Sequence, residues 1–308
     1  MTTDEVLEGC DLAGTWTLVT GASAGLGQET ARALAAHGAN LILAVRDIDK
    51  GERAAEVVRA ASRGGAVELR QVDLASLASV RVFCDGVIAD HDRIDVLIAN
   101  AGVMAPPWGT TADGFETQFG TNHLGHFVLV NRLVPLLLEA APSRVVSLSS
   151  AGHRIADVDL DDPNFAHQPY DPWVGYGRSK TANVLFAVGL DERLRVRQVR
   201  ACAVHPGQIM TELSRHLTHE TLTALIERRG DRPAVVKDVP AGAATSVWAG
   251  VVADADEVGS HYCEDCAVSG FVTSDASPTG VMPYAVDPAR ADALWARSEE
   301  LVGETFAL

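Results

Sequence analysis

Short apolar runs alternate with helical stretches along almost the whole chain, and that alternation leaves few folds open. The strand-like runs are Thr15–Thr20, Leu41–Val45, Ala66–Gln71, Ile94–Ala99, Val145–Leu148 and Val199–Val204, with a weaker one near Ser260–Glu264. Helical periodicity fills Leu26–His37, Ile48–Ala61, Leu77–Ala89, Thr111–Leu138, Trp173–Arg195 and Ala241–Val252. Continuous apolar runs suit strands buried on both faces, and a helix between consecutive strands is the crossover that parallel pairing needs. The pattern predicts an α/β fold: a doubly wound parallel sheet covered by helices on both faces. A chain of 308 residues with 47% hydrophobic content can build this as a single domain over residues 1–308.

Sheets of this kind bind ligands beyond the carboxyl ends of their strands, so residues at those ends carry the functional argument. The first run enters Gly21-Ala-Ser-Ala-Gly25-Leu-Gly27 and then an alanine-rich helix. Glycines there let backbone amides approach a pyrophosphate, and the helix N-terminus offers unpaired N–H groups and the positive end of a dipole. An ordinary glycine-rich turn is the plainer alternative. Later, Tyr176 and Lys180 stand four residues apart at the start of an apolar helical run. Four residues is about one helical turn, so both side chains reach one face, and a cation within about 4–6 Å favours a phenolate. Tyr176 is thereby a candidate proton-transfer group, although such pairs also arise by chance on solvated helices.

Taken in order, Thr20–Gly27, Asn100-Ala-Gly102, Ser150 and Tyr176-x-x-x-Lys180 resemble the short-chain dehydrogenase/reductase family over nearly the whole chain. Ala44-Val-Arg-Asp, Asn122-His-Leu-Gly-His-Phe127, Ser149-Ser-Ala-Gly-His153 and Ser179-Lys-Thr-Ala-Asn-Val-Leu-Phe186 are most similar to its retinol-dehydrogenase-like branch. The resemblance implies a Rossmann-like sheet of about seven strands ordered 3-2-1-4-5-6-7. It implies Tyr176 as the base, and Lys180 as the cation that tunes it and bonds the nicotinamide ribose. Ser150, second of a Ser-Ser pair, would hold the substrate oxygen, and Asn122 would help hold a water-linked proton path through its carboxamide. A helix-interior Asn bonded to local backbone is the competing reading for Asn122.

The same resemblance implies that the cofactor meets Gly21, Ser23, Gly25, Leu26, Gly27, Asp73, Leu74, Asn100, Ala101, Gly102, Pro206, Gly207, Ile209 and Thr211, besides Tyr176 and Lys180. Enzymes that prefer NAD carry an acidic residue at the end of the second strand, and those that prefer NADP a basic one. Here Val45 stands at the aspartate position and Arg46 follows, so NADP is expected over NAD, with Asp47 the one residue that speaks against it. The expected reaction is hydride transfer between NADP(H) and an apolar alcohol or carbonyl compound, retinoid-, steroid- or aromatic-ketone-like. A cofactor-binding sensor without turnover is the alternative, and it would predict a broken set where Asn122, Ser150, Tyr176 and Lys180 are all present.

Composition narrows the partners. A net charge of −16, from 25 Lys plus Arg against 41 Asp plus Glu, lacks the basic footprint that nucleic acid or an anionic membrane surface requires. There is no apolar stretch of eighteen residues, and Met1–Asp11 is polar and acidic, so a cytoplasmic protein is expected. The odd, scattered set of five cysteines is no disulfide framework, and Cys263-Glu-Asp-Cys266 lacks the second pair a structural zinc needs, so no metal is expected. Residues 211–237, with Leu213, Leu217, Leu222, Leu225 and Ile226, suit an amphipathic substrate lid, and the long span between Ser150 and Tyr176 is either a second lid or a plain excursion. The tail 287–306 reads as one helix. Apolar residues around much of Thr111–Leu138 and Trp173–Arg195 predict a homodimer or homotetramer through those helices.

Overall fold

The computed structural model describes residues 1–229, 236–274 and 277–308. Its helices are α1 (Thr3–Val6), α2 (Gly25–Ala36), α3 (Ile48–Ala61), α4 (Leu77–Asp90), α5 (Gly125–Glu139), α6 (Pro172–Leu194), α7 (His219–Arg229), α8 (Val239–Val247), α9 (Ala255–Val258) and α10 (Pro288–Val302). The strands are β1 (Trp16–Thr20), β2 (Asn40–Val45), β3 (Val67–Gln71), β4 (Val96–Ala99), β5 (Ser143–Leu148), β6 (Val199–His205), β7 (Gln208–Ile209), β8 (Val236–Lys237), β9 (Tyr262–Glu264) and β10 (Ala267–Val268).

Strands pair in the order β10-β9-β6-β5-β4-β1-β2-β3. Every pairing from β3 to β9 is parallel, and only β10 returns antiparallel on β9. The expected doubly wound sheet is therefore present, with its seven parallel strands in the expected order and one short antiparallel strand added at the edge. That strand is made by the cysteine segment. Asp265 and Cys266 both adopt positive φ, 53° and 57°, as a two-residue hairpin loop requires, and Glu264 pairs with Ala267 across it. Helices cover both faces. One cluster packs α4, α5 and α6 on the sheet around Leu97, Phe127 and Leu185, and the other packs α2, α3 and α8 around Val19, Leu34 and Ile98.

Two expectations change. The helix expected from Thr111 forms only from Thr117, passing through a π-helical turn at Phe119–Leu124 into α5. Thr110 bridges Glu116 in antiparallel fashion, and the buried Glu116 carboxylate accepts the amides of Gln118 (2.9 Å) and Phe119 (2.7 Å). Those bonds cap a helix beginning there, and Asp113 is engaged elsewhere, accepting the Leu77 amide of α4 at 2.8 Å. The second change concerns the apolar faces of α5 and α6 that were expected to meet a second copy. The chain's own C-terminal helix covers them: Trp295 lies 5.1 Å from Phe127 and stacks on Phe186 at 5.8 Å, while Phe306 meets Phe127 at 5.6 Å. Val130, Leu133, Val184 and Leu190 are all buried within the one chain, so burying them calls for no partner.

Asp287 caps α10 by accepting the Arg290 amide, and Gly303 closes it at φ 65°, which places the expected tail helix within one to four residues of its expected ends. No helix among the described residues is long and apolar enough to cross a membrane.

Candidate active site

Thr20 ends β1, and Gly21 turns the chain at φ 68° toward α2. A Cβ on Gly21 would lie 2.9 Å from the Ala101 Cα, and one on Gly27 would lie 2.4 Å from the Gly21 carbonyl and 2.5 Å from the Asn100 side-chain nitrogen. No side chain fits at either place. Asn100 donates to the Thr20 carbonyl at 2.8 Å, and Ala101 N–H donates to Thr20 Oγ1 at 3.0 Å, so the turn after β4 is tied to the turn after β1. The N-terminus of α2 carries no side-chain cap, whereas Asp47, Ser76, Asp171, Asp238 and Asp287 cap α3, α4, α6, α8 and α10. Open amides beside glycines too crowded for a Cβ fit a pyrophosphate. Ser23 is half-buried in this turn. Leu26 and Ile209 pack together over Gly242 of α8, and Thr211 lies over Gly25, where a Cβ would stand 3.4 Å from its side chain.

Along the same rim Arg46 is exposed just past β2, its carbonyl accepting Gln71 Nε2 at 3.0 Å. Asp47 is spent on capping α3, with its carboxylate 3.0 Å from the Lys50 amide. Asp73 Oδ1 accepts the Ala75 amide at 3.0 Å, and Leu74 is buried where its carbonyl meets Gly125 of α5. Gly102 faces both the Asn122 carboxamide and the Lys180 ammonium, with its Cβ position 3.1 Å from one and 3.6 Å from the other.

Opposite the glycine turn, α6 carries Tyr176 and Lys180 on one face, the ammonium 5.8 Å from the centre of the phenol ring. Gly152 makes room for that ring, since a Cβ there would lie 2.7 Å from Tyr176 Cε1. The two serines at the end of β5 part company by strand alternation. Ser149 points under α6 and donates to the Lys180 carbonyl at 2.8 Å, while Ser150 accepts the Gly152 amide at 3.0 Å and flanks Gly152 beside the Tyr176 ring, the Gly152 Cβ position lying 3.4 Å from Ser150 Oγ and 2.7 Å from Tyr176 Cε1. Gly207, at φ 98°, follows Pro206, whose carbonyl accepts Lys237 Nζ at 3.4 Å.

Burial sets the electrostatics of the Tyr176 and Lys180 pair. Burial pushes the Tyr176 phenol up to about 12, with the Ser150 hydroxyl working the other way, and burial also pulls the Lys180 ammonium down to about 8. Lys180 Nζ donates to the Leu148 carbonyl at 2.9 Å. The Asn122 carboxamide, expected to help hold a water-linked proton path, makes three hydrogen bonds within the protein. Its oxygen accepts the Val103 amide at 2.8 Å, and its nitrogen donates to the Val103 carbonyl and to Ser179 Oγ, each at 2.9 Å. Asn122 thus stitches the turn after β4 to α6.

Sequence reasoning did not single out His126. Its Nδ1 lies 2.9 Å from the Asn122 carbonyl and its Nε2 2.9 Å from Thr20 Oγ1, and burial lowers it to about 4, so the neutral ring bridges two site turns. The π-helical turn that offers it the Asn122 carbonyl has no periodic signal in the sequence. The span after Ser150 is pinned and not lid-like. Arg178 of α6 donates to the Asp162 carbonyl at 3.1 Å and to the Asp159 carboxylate at 3.2 Å, and sits 4.4 Å over the Phe165 ring. In the other lid candidate, Trp173 Nε1 donates to the Thr221 carbonyl at 2.9 Å, and Leu217 and Ala224 pack against Trp173 and Tyr176. Residues 230–235 and the Leu225 side chain lie outside the described residues.

Comparison with known proteins agrees with this geometry. A family model of short chain dehydrogenases matches residues 15–222. Human retinol dehydrogenase 13 is 40% identical over 289 residues, which are 93% of this chain and 84% of that protein. A Streptomyces lividans protein named "Probable oxidoreductase" is 41% identical over 291 residues, 92% of this chain and 96% of its own. Among solved structures, an uncharacterised protein of Mycobacterium paratuberculosis superposes with a TM-score of 0.75 at 37% identity, covering 100% of this chain and 99% of the other.

Proposed function

This chain belongs to the short chain dehydrogenase family, resembles its retinol dehydrogenases, and is an oxidoreductase, and from that premise we propose that it transfers a hydride between NADP(H) and an apolar alcohol or carbonyl compound. The observation that carries the reading is the meeting of Ser150, Tyr176 and Lys180 at the mouth of a glycine cradle that no side chain could share. Tyr176 moves the hydroxyl proton, and Ser150 holds the substrate oxygen beside it as its charge changes. Lys180, already short of solvation, holds the nicotinamide ribose and supplies the positive charge near the phenol. The bound cofactor provides the hydride donor or acceptor and, when oxidised, a second positive charge that favours the phenolate.

Arg46 is the residue that selects the phosphorylated cofactor. Support comes from its exposure at the end of β2 and from the commitment of Asp47 to the α3 cap, which removes the competing carboxylate. An apolar substrate is supported by the wall of Met104, Ala105, Ile155, Trp173 and Leu217 beside the phenol. Residues 211–237 act as the lid over that wall, and the retinoid named in the relatives' description is the first member of the class to try. The reading is tested by following NADPH absorbance with all-trans-retinaldehyde, a hydroxysteroid, a long-chain aldehyde and an aryl ketone. Turnover of at least one with NADPH, and slower turnover with NADH, is the expected result; none with either cofactor would overturn it.

A further inference from the structure

His205 ends β6 one residue before Pro206-Gly207, and the proposed chemistry gives it no task. Its Nδ1 faces two backbone donors at once: the Ala151 amide at 3.3 Å, next to Ser150, and the Gly207 amide at 3.4 Å. An imidazole nitrogen that receives two N–H groups carries no proton, so the ring proton sits on Nε2. The ring is held in that plane from behind, stacked on Tyr262 with an interplanar angle of 19°, and Tyr262 is itself packed by His153 at 4.8 Å. Burial lowers His205 to about 3, with the neighbouring Arg154, His153 and Lys237 charges acting the same way, so the acceptor persists at neutral pH.

We infer that His205 is a positioning residue, an uncharged clamp whose Nδ1 ties the Ser150 turn to the Gly207 turn and so sets the distance between the substrate-oxygen donor and the nicotinamide site. The two turns leave adjacent strands, β5 and β6, whose ladder runs to Leu148 and Val204 and ends with the Ser149 amide on the Val204 carbonyl at 2.8 Å. Past that bond, His205 Nδ1 is the link the described residues show between the turns. One shared acceptor makes their spacing a single quantity. A displacement of about 1 Å between reacting groups can cost on the order of a hundredfold in rate, so such a clamp has a kinetic consequence.

The inference rests on the hydride-transfer reading, and its test separates the two. His205→Asn keeps an acceptor oxygen where Nδ1 stands, His205→Gln moves it one bond outward, and His205→Phe keeps the stack on Tyr262 but has no acceptor. Amide hydrogen exchange at Ala151 and Gly207 is read first, because it needs no substrate. Both amides should exchange at least about tenfold faster in the Phe and Gln variants, and near the wild-type rate in Asn. With NADPH and whichever panel compound the wild type reduces, kcat should then fall about tenfold to a hundredfold in Phe and Gln, with KM and NADPH affinity little changed, and recover in Asn. Should the Phe variant not fold, the Asn and Gln pair decides alone. Equal exchange in Asn and Gln, or unaltered exchange in both, overturns the clamp. Exchange that follows the prediction in a protein that turns over nothing overturns the hydride-transfer reading and leaves the clamp standing.

Discussion

Helices α6 and α7 meet at Trp173 and are held in opposite ways. From Gly175 to Asp191 every residue of α6 is buried, including the polar Arg178, Ser179, Lys180, Thr181 and Asn183. Helix α7 is shorter and leaves Leu222 and Ile226 44% and 51% exposed, and the attachments described for it are the Thr221 carbonyl bond and the Ala224 contact, with Leu217 packed just ahead of it. A helix packed on all sides cannot shift without disturbing the sheet, α5 and α10 together, so side chains on it keep their geometry. One held by a few contacts opens at small cost. Under the proposed function, the division would give proton transfer to a fixed floor and substrate admission to a movable roof. It also predicts which substitutions act on rate and which on binding.

The largest expected effect lies on the floor. Tyr176→Phe removes the proton-transfer oxygen and little else, and should lower kcat by roughly a hundredfold to ten-thousandfold, the usual worth of a general acid or base. NADPH affinity, measured by fluorescence titration, should stay within about threefold. Wild-type rates in that variant would erase the distinction between floor and roof.

Lys180 comes next because two roles fall on one side chain. Lys180→Met should reduce kcat and also weaken NADPH binding by roughly tenfold or more, the worth of a charge-assisted bond of about 1.5–3 kcal/mol. The apo protein gives a separate sign. With the ammonium held near 8 against an ordinary 10.5, the unfolded chain binds the additional proton between those values. The lysine's contribution to stability is thus complete above 10.5 and is lost as pH falls toward 8, so wild-type stability should rise across that window relative to Lys180→Met. Denaturant midpoints of both proteins at pH 8 and pH 10 measure it, read as a difference because Tyr176, held near 12, lowers stability as pH climbs past 10 in both. A flat difference would mean that Lys180 is solvated and the floor less closed than it looks.

Arg46 stands on the exposed rim and belongs to neither helix. The pairing proposed for it with a 2′-phosphate predicts that Arg46→Ala weakens NADPH by about ten- to a hundredfold while NADH binding is nearly unchanged. Equal losses for both cofactors would reduce Arg46 to a surface residue.

The same contrast explains what the sequence disclosed. The alternation of strands and helices, the Tyr176 and Lys180 pair and the glycine turn were legible because each rests on local spacing: apolar period, one helical turn, and glycines between strand and helix, whereas the strand order came from the family resemblance. Ser150 over Ser149 rested on the family resemblance, which places the hydroxyl second in the Ser-Ser pair, and strand alternation is the physical reason the two serines part. What stayed hidden depends on tertiary partners. The π-helical turn at Phe119–Leu124 shares its composition with any helix. The Asn122 carboxamide is bound by Val103, far from it in sequence, and the Lys180 ammonium donates to the Leu148 carbonyl. The apolar surplus on α5 and α6 was legible as surplus, but that Trp295 and Phe306 would cover it depends on where the tail folds back. His205 gave no signal at all, since one histidine before Pro-Gly has no period to belong to.

The smallest expected effect falls on the roof, and it is the sharpest test of the division. Trp173→Phe keeps an aromatic ring against Tyr176 but removes the Nε1 donor that holds the Thr221 carbonyl, together with part of the indole's buried bulk. A neutral hydrogen bond of this kind is worth about 0.5–1.5 kcal/mol, or roughly two- to tenfold in an equilibrium. If α7 is an anchored lid, the loss appears in KM for the apolar substrate, kcat is unchanged or higher because release is easier, and trypsin cuts 211–229 faster in the free protein. A fall in kcat with KM constant would instead place Trp173 in the floor, since only a group that positions the phenol can slow proton transfer without touching substrate binding.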